Sequence, residues 1–257
     1  MDYLKYNLKK GYRKIYSLYE LNNHLMTLGL DIYWRKKVTD IINKHLIETN
    51  YYDNIKKFVY CDFCIGTGEF FEEMVKRVKK NIDKLEKKLF VGLDFSFDMI
   101  SLAKLKKVYK EENVFFILAD VGLLPFRDES VDIVSISLGI RNLRNSNDGK
   151  KDEQIFIKRF KEIYRVIRLG GYFCGLETSR PPNRIIRRIS DFFTMYISTN
   201  IAKIVSGDFE TYTYLAKSML DFYDADNFKN FLLNIGFEKV NYYLFTFGVV
   251  ALHLAQK

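Results

Sequence analysis

The segment YCDFCIGTGEF, residues 60–70, allows two incompatible kinds of chemistry. Cys61 and Cys64 form a C-x-x-C pair, which is typical of half a metal site or of a redox centre. Gly66 and Gly68 follow a short apolar run, and glycines at the end of a strand let the backbone approach a nucleotide-like cofactor. The surrounding elements decide between these two interpretations.

The thiol interpretation has little support in the rest of the chain. A zinc site needs four ligands, and no second C-x-x-C or nearby histidine pair supplies the others. Residues 61 and 64 also alternate out of phase on a strand, so their side chains should point to opposite faces. We therefore predict that Cys61 and Cys64 are buried core thiols and that there is no metal site. Three cysteines build no disulfide framework, which favours a reducing compartment.

The second interpretation fits the order of the predicted elements. From residue 58 onward, short apolar runs alternate with amphipathic helical stretches. This alternation predicts an α/β fold with a doubly wound, mostly parallel, Rossmann-like sheet of seven strands. The last two strands meet near Gly248 across a short turn, so the last strand should be reversed.

Two acidic residues end successive strands after the glycine turn, at the edge where such sheets bind ligands. Asp94 ends the second strand and can accept two hydrogen bonds from a ribose diol. Asp120 ends the third strand, where it can accept a hydrogen bond from an adenine amino group. Each alone is more often a turn or cap residue, but together with the glycine turn they form a constellation. Phe71 stands where a dinucleotide fingerprint has a third glycine, which disfavours NAD and favours a smaller adenosine-bearing cofactor.

Several stretches in the right order resemble the ubiquinone/menaquinone biosynthesis C-methyltransferases. They are LMTLGLDIYWRKKV, DFCIGTGEF, ADVGLLPFRDESVDIVSISLGIRNL, YRVIRLGGYFCGLETSRP and IGFEKVNYYLFTFGVVALH. The resemblance extends over nearly the whole chain and implies the class I methyltransferase fold, which has the reversed last strand predicted above. The sequence differs from the usual family pattern at three positions. Ile65 replaces a small residue, Leu169 replaces a proline, and Phe247 replaces a glycine.

The resemblance implies S-adenosylmethionine as the cofactor. The residues that it implies for cofactor binding are Asp62, Gly66, Thr67, Gly68, Asp94, Asp120, Val121 and Ser137. Asp94 would hold the ribose hydroxyls, and Asp120 with the Val121 amide would hold the adenine. Asp62 would orient the loop or the amino-acid end of the cofactor.

The implied reaction is methyl transfer to a ring carbon of a prenylated hydroquinone. Demethylmenaquinol is the preferred acceptor, and the corresponding ubiquinone precursor is an alternative or a second acceptor. Such a transfer needs a group that helps the neighbouring phenol to lose its proton. Arg141 and Asn142, just past the fourth strand, are the main catalytic candidates, and Tyr19 is a third. On the residues alone Arg141 fits a surface ion pair equally well, and the resemblance favours catalysis.

Two segments lie outside the strand–helix alternation of what we interpret as a single domain, residues 1–257. Residues 1–50 should form a helical cap over the pocket, and residues 180–225 a helical insertion over the substrate site. In the insertion, apolar residues share one helical face and arginines another: Ile185, Ile189, Phe192 and Tyr196, against Arg184, Arg187 and Arg188. This pattern suits peripheral contact with an anionic membrane. An ordinary surface helix with its apolar face in the core is the alternative.

The charge balance, +9 with a pI near 9.2, permits an anionic partner but also fits a Lys-rich composition. No RNA-binding appendage is visible, so we predict no nucleic-acid partner. The alternatives are a class I methyltransferase that acts on another small molecule or on RNA, a non-catalytic quinone- or lipid-binding scaffold, and a dehydrogenase. A homodimer stays open. Without a signal peptide or a long apolar run, we expect a cytoplasmic protein, peripheral on the inner face of the cell membrane.

Overall fold

The computed structural model describes residues 19–106, 113–145, 151–207 and 209–257. Its strands are β1 Lys57–Phe63, β2 Lys87–Asp94, β3 Val114–Leu118, β4 Val131–Ser137, β5 Ile167–Thr178, β6 Lys239–Phe245 and β7 Val250–Gln256. Its α-helices are α1 Tyr19–Met26, α2 Leu30–Glu48, α3 Glu69–Lys79, α4 Phe97–Ala103, α5 Glu153–Val166, α6 Arg184–Phe192, α7 Thr199–Ser206, α8 Phe209–Leu220 and α9 Ala225–Ile235.

The strands form one seven-stranded sheet in the order β3-β2-β1-β4-β5-β7-β6. Neighbouring strands are parallel except for β7, which runs antiparallel to both β5 and β6. The tight turn Thr246–Gly248 joins β6 to β7, and so short a connection permits only an antiparallel pair. The predicted doubly wound, mostly parallel sheet with a reversed last strand is therefore confirmed.

Alternate residues of β1 enter two cores, one on each face of the sheet. Phe58 and Tyr60 pack with residues of α2 and α3. Cys61 and Phe63 pack with residues of α5 and α9. The alternation follows from the strand itself, because successive side chains point to opposite faces. Burial on both faces explains why the strands are nearly continuous apolar runs in the sequence.

The structure corrects the prediction for one of the two thiols. Cys61 is buried, as predicted. However, β1 ends at Phe63, and Cys64 lies in the following loop with a left-handed φ of 55°. Its side chain is only partly buried and lines the cavity described below. The prediction that Cys64 is a core thiol of the strand is wrong because the strand periodicity does not extend to it.

The N-terminal helices and the insertion are helical, as predicted, and they contact each other. The Ser198 hydroxyl donates to the Met26 carbonyl at 3.0 Å. The Asn22 side chain donates to the Tyr212 hydroxyl at 2.6 Å, which links α1 to α8. The rest of the predicted cap, residues 1–18, lies outside the described residues.

The apolar face of α6 does not enter the core. Ile185, Ile189 and Phe192 are all exposed, so the alternative of an ordinary surface helix packed by these residues is wrong. Within the described part of the chain, no helix combines the length and the apolarity that crossing a bilayer requires.

Candidate active site

The loop between β1 and α3 is shaped by backbone in the left-handed region. Gly66 and Gly68 have φ of 56° and 85°, a conformation that glycine adopts without strain. A Cβ on Gly66 would meet nothing within 4 Å, so conformation rather than crowding favours glycine there. The Gly66 amide donates to Asp94 Oδ2 at 2.9 Å and so ties the loop to the end of β2.

A cavity of about 330 Å³ opens at the carboxyl ends of β1, β2 and β4, where the strand order reverses. Its volume lies in the usual range for small-molecule sites. Residues predicted to bind the cofactor or the acceptor line its wall: Asp62, Gly66, Thr67, Asp94, Asp120, Val121, Ser137 and Asn142. Two other predicted residues that the structure describes, Gly68 and Arg141, are not in the wall.

Asp94 is buried at the end of β2, with its carboxylate held by the backbone. Oδ2 accepts from the Gly66 amide and Oδ1 from the Ser96 amide, both at 2.9 Å. Burial raises the pKa of Asp94 to about 6, although both amides favour the ionised form. Each carboxylate oxygen has a second lone pair, so the fixed carboxylate can still accept hydrogen bonds from a diol.

Asp62, near the end of β1, is buried more completely. It accepts a hydrogen bond of 2.5 Å from the Ser135 hydroxyl, which also lies 2.7 Å from the Tyr60 hydroxyl. Burial raises the pKa of Asp62 to about 8. A carboxyl group in this state gains a counter-charge when a cationic ligand binds beside it.

The end of the cavity beside β3 combines one exposed and one buried residue. Asp120 is half-exposed, and its Oδ1 accepts from the Gly122 amide at 2.7 Å. Its other oxygen lies 3.4 Å from Arg159, a cavity-lining residue that the sequence analysis missed. Val121 is buried beside it. The Asp120 carboxylate is thus oriented by its own turn and by α5.

Ser137, at the end of β4, has a buried hydroxyl group. Among the described residues no group forms a hydrogen bond with its Oγ. A buried hydroxyl without a partner is costly, and Ser137 lines the cavity. This orphaned group fits a site that receives a polar ligand.

The three predicted catalytic residues have different outcomes. Arg141 is buried, and its guanidinium forms a 2.7 Å ion pair with buried Glu177 at the end of β5. It also donates to the Leu138 carbonyl and to Ser218. The ion pair is therefore internal and not on the surface. Asn142 lines the cavity, whereas the side chain of Tyr19 lies outside the described residues.

The N-terminal helices contribute cavity residues that the sequence analysis did not single out. Asn23 and Arg35 line the wall together with Glu69, the first residue of α3. Arg35 Nη1 lies 2.5 Å from Asp31 and 3.1 Å from Glu69. Arg35 falls inside a stretch that carried the family resemblance, but its partner on α3 is distant in sequence, so spacing gave no signal.

His24, Asp31 and Glu69 bring potential metal-ligand atoms within 4.8 Å of one another. His24 is 2.8 Å from Asp31 and 3.3 Å from Glu69. Arg35 pairs with both carboxylates, so its charge already occupies the position of a cation. The cluster is an ion network that fixes Arg35 at the cavity wall.

A match that covers almost the whole chain decides the family. The model of the ubiE/COQ5 methyltransferase family matches residues 2–257. The chain belongs to the ubiE/COQ5 methyltransferase family. It is a methyltransferase, and the family predicted from its motifs is confirmed.

Curated relatives of this methyltransferase align along nearly their whole length. The ubiquinone/menaquinone biosynthesis C-methyltransferase UbiE of Blochmanniella floridana is 31% identical over 254 residues, 98% of this chain and 90% of the relative. The UbiE protein of Rickettsia prowazekii (strain Madrid E) is 30% identical over 261 residues, 100% of this chain and 96% of the relative.

A solved structure supports the fold independently. A SAM-dependent methyltransferase from Thermotoga maritima superposes with a TM-score of 0.58 and covers 96% of this chain and 99% of its own. At 13% sequence identity this likeness concerns the fold alone.

Proposed function

We propose that this enzyme transfers a methyl group from S-adenosylmethionine to a ring carbon of a prenylated hydroquinone. The observation that carries the proposal is Asp94, a buried carboxylate fixed by the glycine loop at the edge of the cavity. The names of the curated relatives supply the acceptor class.

The cavity wall fits the adenosine part of that cofactor. Asp94 would accept from the ribose hydroxyls, since its carboxylate is fixed by two amides. Asp120 and the Val121 amide would hold the adenine amino group and ring. The orphaned Ser137 hydroxyl would gain a polar partner in the occupied site.

The amino-acid end of the cofactor would lie between Asp62 and Arg35. Asp62 would face the ammonium group and ionise when it binds. Both ion pairs of Arg35 use Nη1, so among the described residues its other guanidinium nitrogens are left for a carboxylate. A guanidinium binds a carboxylate through parallel hydrogen bonds, which gives the site orientation as well as charge.

S-adenosylmethionine supplies an electrophilic methyl group, because its sulfur carries a positive charge. The protein has to orient the acceptor ring and help its phenol to lose a proton. Asn142 lines the cavity and would bond the phenol oxygen or a water beside it. The role of Arg141 stays a prediction: its guanidinium is held in an ion pair with Glu177, and Arg141 precedes Asn142 in the chain.

Transfer of labelled methyl from S-adenosylmethionine to reduced demethylmenaquinone in detergent micelles tests the proposal. We expect product from the wild type and a loss of at least about 100-fold in kcat/KM for Asp94→Asn. Asp53→Asn, an exposed aspartate before β1, is the matched control and should leave turnover unchanged. No transfer to this acceptor or to a demethylated ubiquinone precursor, with the cofactor still bound, would contradict the proposal.

A further inference from the structure

Helix α6 and the π-helical segment after it, Phe193–Ser198, present an apolar stripe to solvent. Ile185, Ile189, Phe192 and Tyr196 are 70%, 63%, 58% and 62% exposed. Their spacing places them on one helical face, and the rings of Phe192 and Tyr196 lie 5.2 Å apart. A contiguous group of large, exposed apolar side chains is typical of an interaction surface, whereas single exposed apolar residues are common on any protein.

Phe247 extends this surface from the other end of the chain. It is 77% exposed, at the tip of the turn between β6 and β7. A Cβ on the next residue, Gly248, would lie 2.8 Å from Pro182, so the turn packs against the segment that leads into α6. Phe247 also has a left-handed φ of 57°, a conformation that an aromatic residue rarely adopts.

The charges beside the stripe are basic. Arg184 and Arg188 are exposed, and each directly precedes one of the stripe isoleucines. Neither forms an ion pair within the described residues. Asp191, the acidic residue of α6, is paired with Arg180 at 3.1 Å. An anionic partner would therefore meet uncompensated positive charge along the apolar stripe.

The surface lies on the side of the molecule that carries the cavity. Glu177, the next-to-last residue of β5, pairs with Arg141. Ser218 of α8, at the other end of the insertion, also contacts Arg141. The insertion therefore begins and ends at the carboxyl edge of the sheet.

We propose that this surface, defined as Ile185, Ile189, Phe192, Tyr196 and Phe247 with Arg184 and Arg188, docks on an anionic phospholipid bilayer. The apolar residues enter the interfacial region, and the arginines contact lipid phosphates. Docking brings the cavity edge to the membrane, where an acceptor with a prenyl tail resides. That last consequence rests on the proposed function, whereas the docking itself does not.

A second copy of the chain is the other occupant to consider for this surface. Each copy carries a net charge of +9, and the arginines of one copy find no acidic patch on the same surface of another. The charge complementarity thus favours the lipid surface. The test includes self-association as an outcome that overturns the proposal.

The first arm of the test is flotation of the full chain with vesicles of phosphatidylcholine, with or without phosphatidylglycerol. The vesicles contain no quinone, and the cofactor is left out, so failure of docking is distinct from failure of the proposed reaction. We expect binding to the anionic vesicles that weakens in 0.5 M salt, and loss of binding in Ile185→Ser/Ile189→Ser/Phe192→Ser. Leu105→Ser/Phe115→Ser/Leu169→Ser, exposed residues outside this surface, is the matched control.

The second arm changes the charge alone. Arg184→Gln/Arg188→Gln should weaken binding to anionic vesicles about 30-fold at low salt. Lys57→Gln/Lys87→Gln, two exposed lysines at the amino ends of β1 and β2, should change it little. All variants should keep wild-type turnover of a short-tailed quinol in detergent, which also shows that they fold.

Three results would overturn the proposal. The first is no flotation of the wild type with anionic vesicles. The second is equal flotation of the stripe variant and its control. The third is a wild-type dimer in sedimentation that the stripe variant converts to a monomer, since the surface would then join two copies of the chain.

Discussion

At the scale of single residues, burial in the cavity wall raises the pKa of two carboxyl groups, those of Asp62 and Asp94. Asp62 is the clearest case, because burial raises its pKa to about 8 while it lines the cavity. Below that pH the free protein holds it protonated. A cofactor that carries an ammonium group favours the ionised form, so binding has to release a proton.

We therefore predict that cofactor affinity rises with pH up to about 8. For a single linked proton the change is about tenfold per pH unit below the pKa. Asp62→Asn should bind more weakly at pH 8 and lose most of this dependence. Calorimetric binding measurements on the wild type and on Asp62→Asn, between pH 6 and 8, give the pH dependence of each affinity. Protonation of the cofactor itself affects both proteins equally, so the difference between them reports on Asp62. Identical slopes for the two proteins would contradict the assignment.

Arg35 provides a second prediction for a single residue. If its guanidinium holds the cofactor carboxylate, Arg35→Gln should weaken S-adenosylmethionine about 10–100-fold. Binding of 5′-methylthioadenosine, which lacks the amino-acid end, should change little. Competition titrations with both ligands make the comparison. An equal loss for both would mean that Arg35 only supports the fold through Asp31 and Glu69.

At the scale of elements, the glycine loop and β2 fit together through complementary side-chain volumes. Ile65 occupies the space above Gly92, where a Cβ would lie 2.2 Å from the isoleucine Cδ1. The large residue at position 65 is thus accommodated by the missing side chain in β2. Ile65 belongs to the core on this face of the sheet as well as to the cavity wall.

Gly92→Ala should consequently destabilise the enzyme by about 1–3 kcal/mol through overcrowding. The same substitution should cost less in an Ile65→Ala background, because the clashing methyl group is absent. Urea unfolding of the four proteins of this double-mutant cycle gives the coupling energy. Additive effects of the two substitutions would show that the contact is not what constrains position 92.

Sequence patterns predicted whether a segment is a helix or a strand better than they predicted which of its residues are buried. The spacing of Ile185, Ile189 and Phe192 correctly predicted a helix with an apolar face. The periodicity does not show whether that face packs against the core or lies at the surface, and in the structure it is exposed. Cys64 was wrongly assigned to the core for a related reason, since the alternating pattern does not state where β1 ends.

At the scale of the whole molecule, the alternation of strands and helices was enough to predict the sheet and its reversed last strand. The sheet in turn predicted Asp94 and Asp120 as site residues, because parallel strands end at a common edge. Arg35 and Arg159 were not predicted, since each extends into the cavity from a helix that is distant in sequence from the glycine loop. Such contacts depend on tertiary packing that no local pattern encodes.

For the whole molecule, the proposed function requires that the cavity catalyses methylation of a ring carbon. The most direct test is transfer from S-adenosylmethionine with a deuterated methyl group to reduced demethylmenaquinone, with the product analysed by NMR. We expect a single deuterated methyl group on a ring carbon and none on oxygen. A methyl ether as the product, or an unlabelled ring from an enzyme that binds the cofactor, would contradict it.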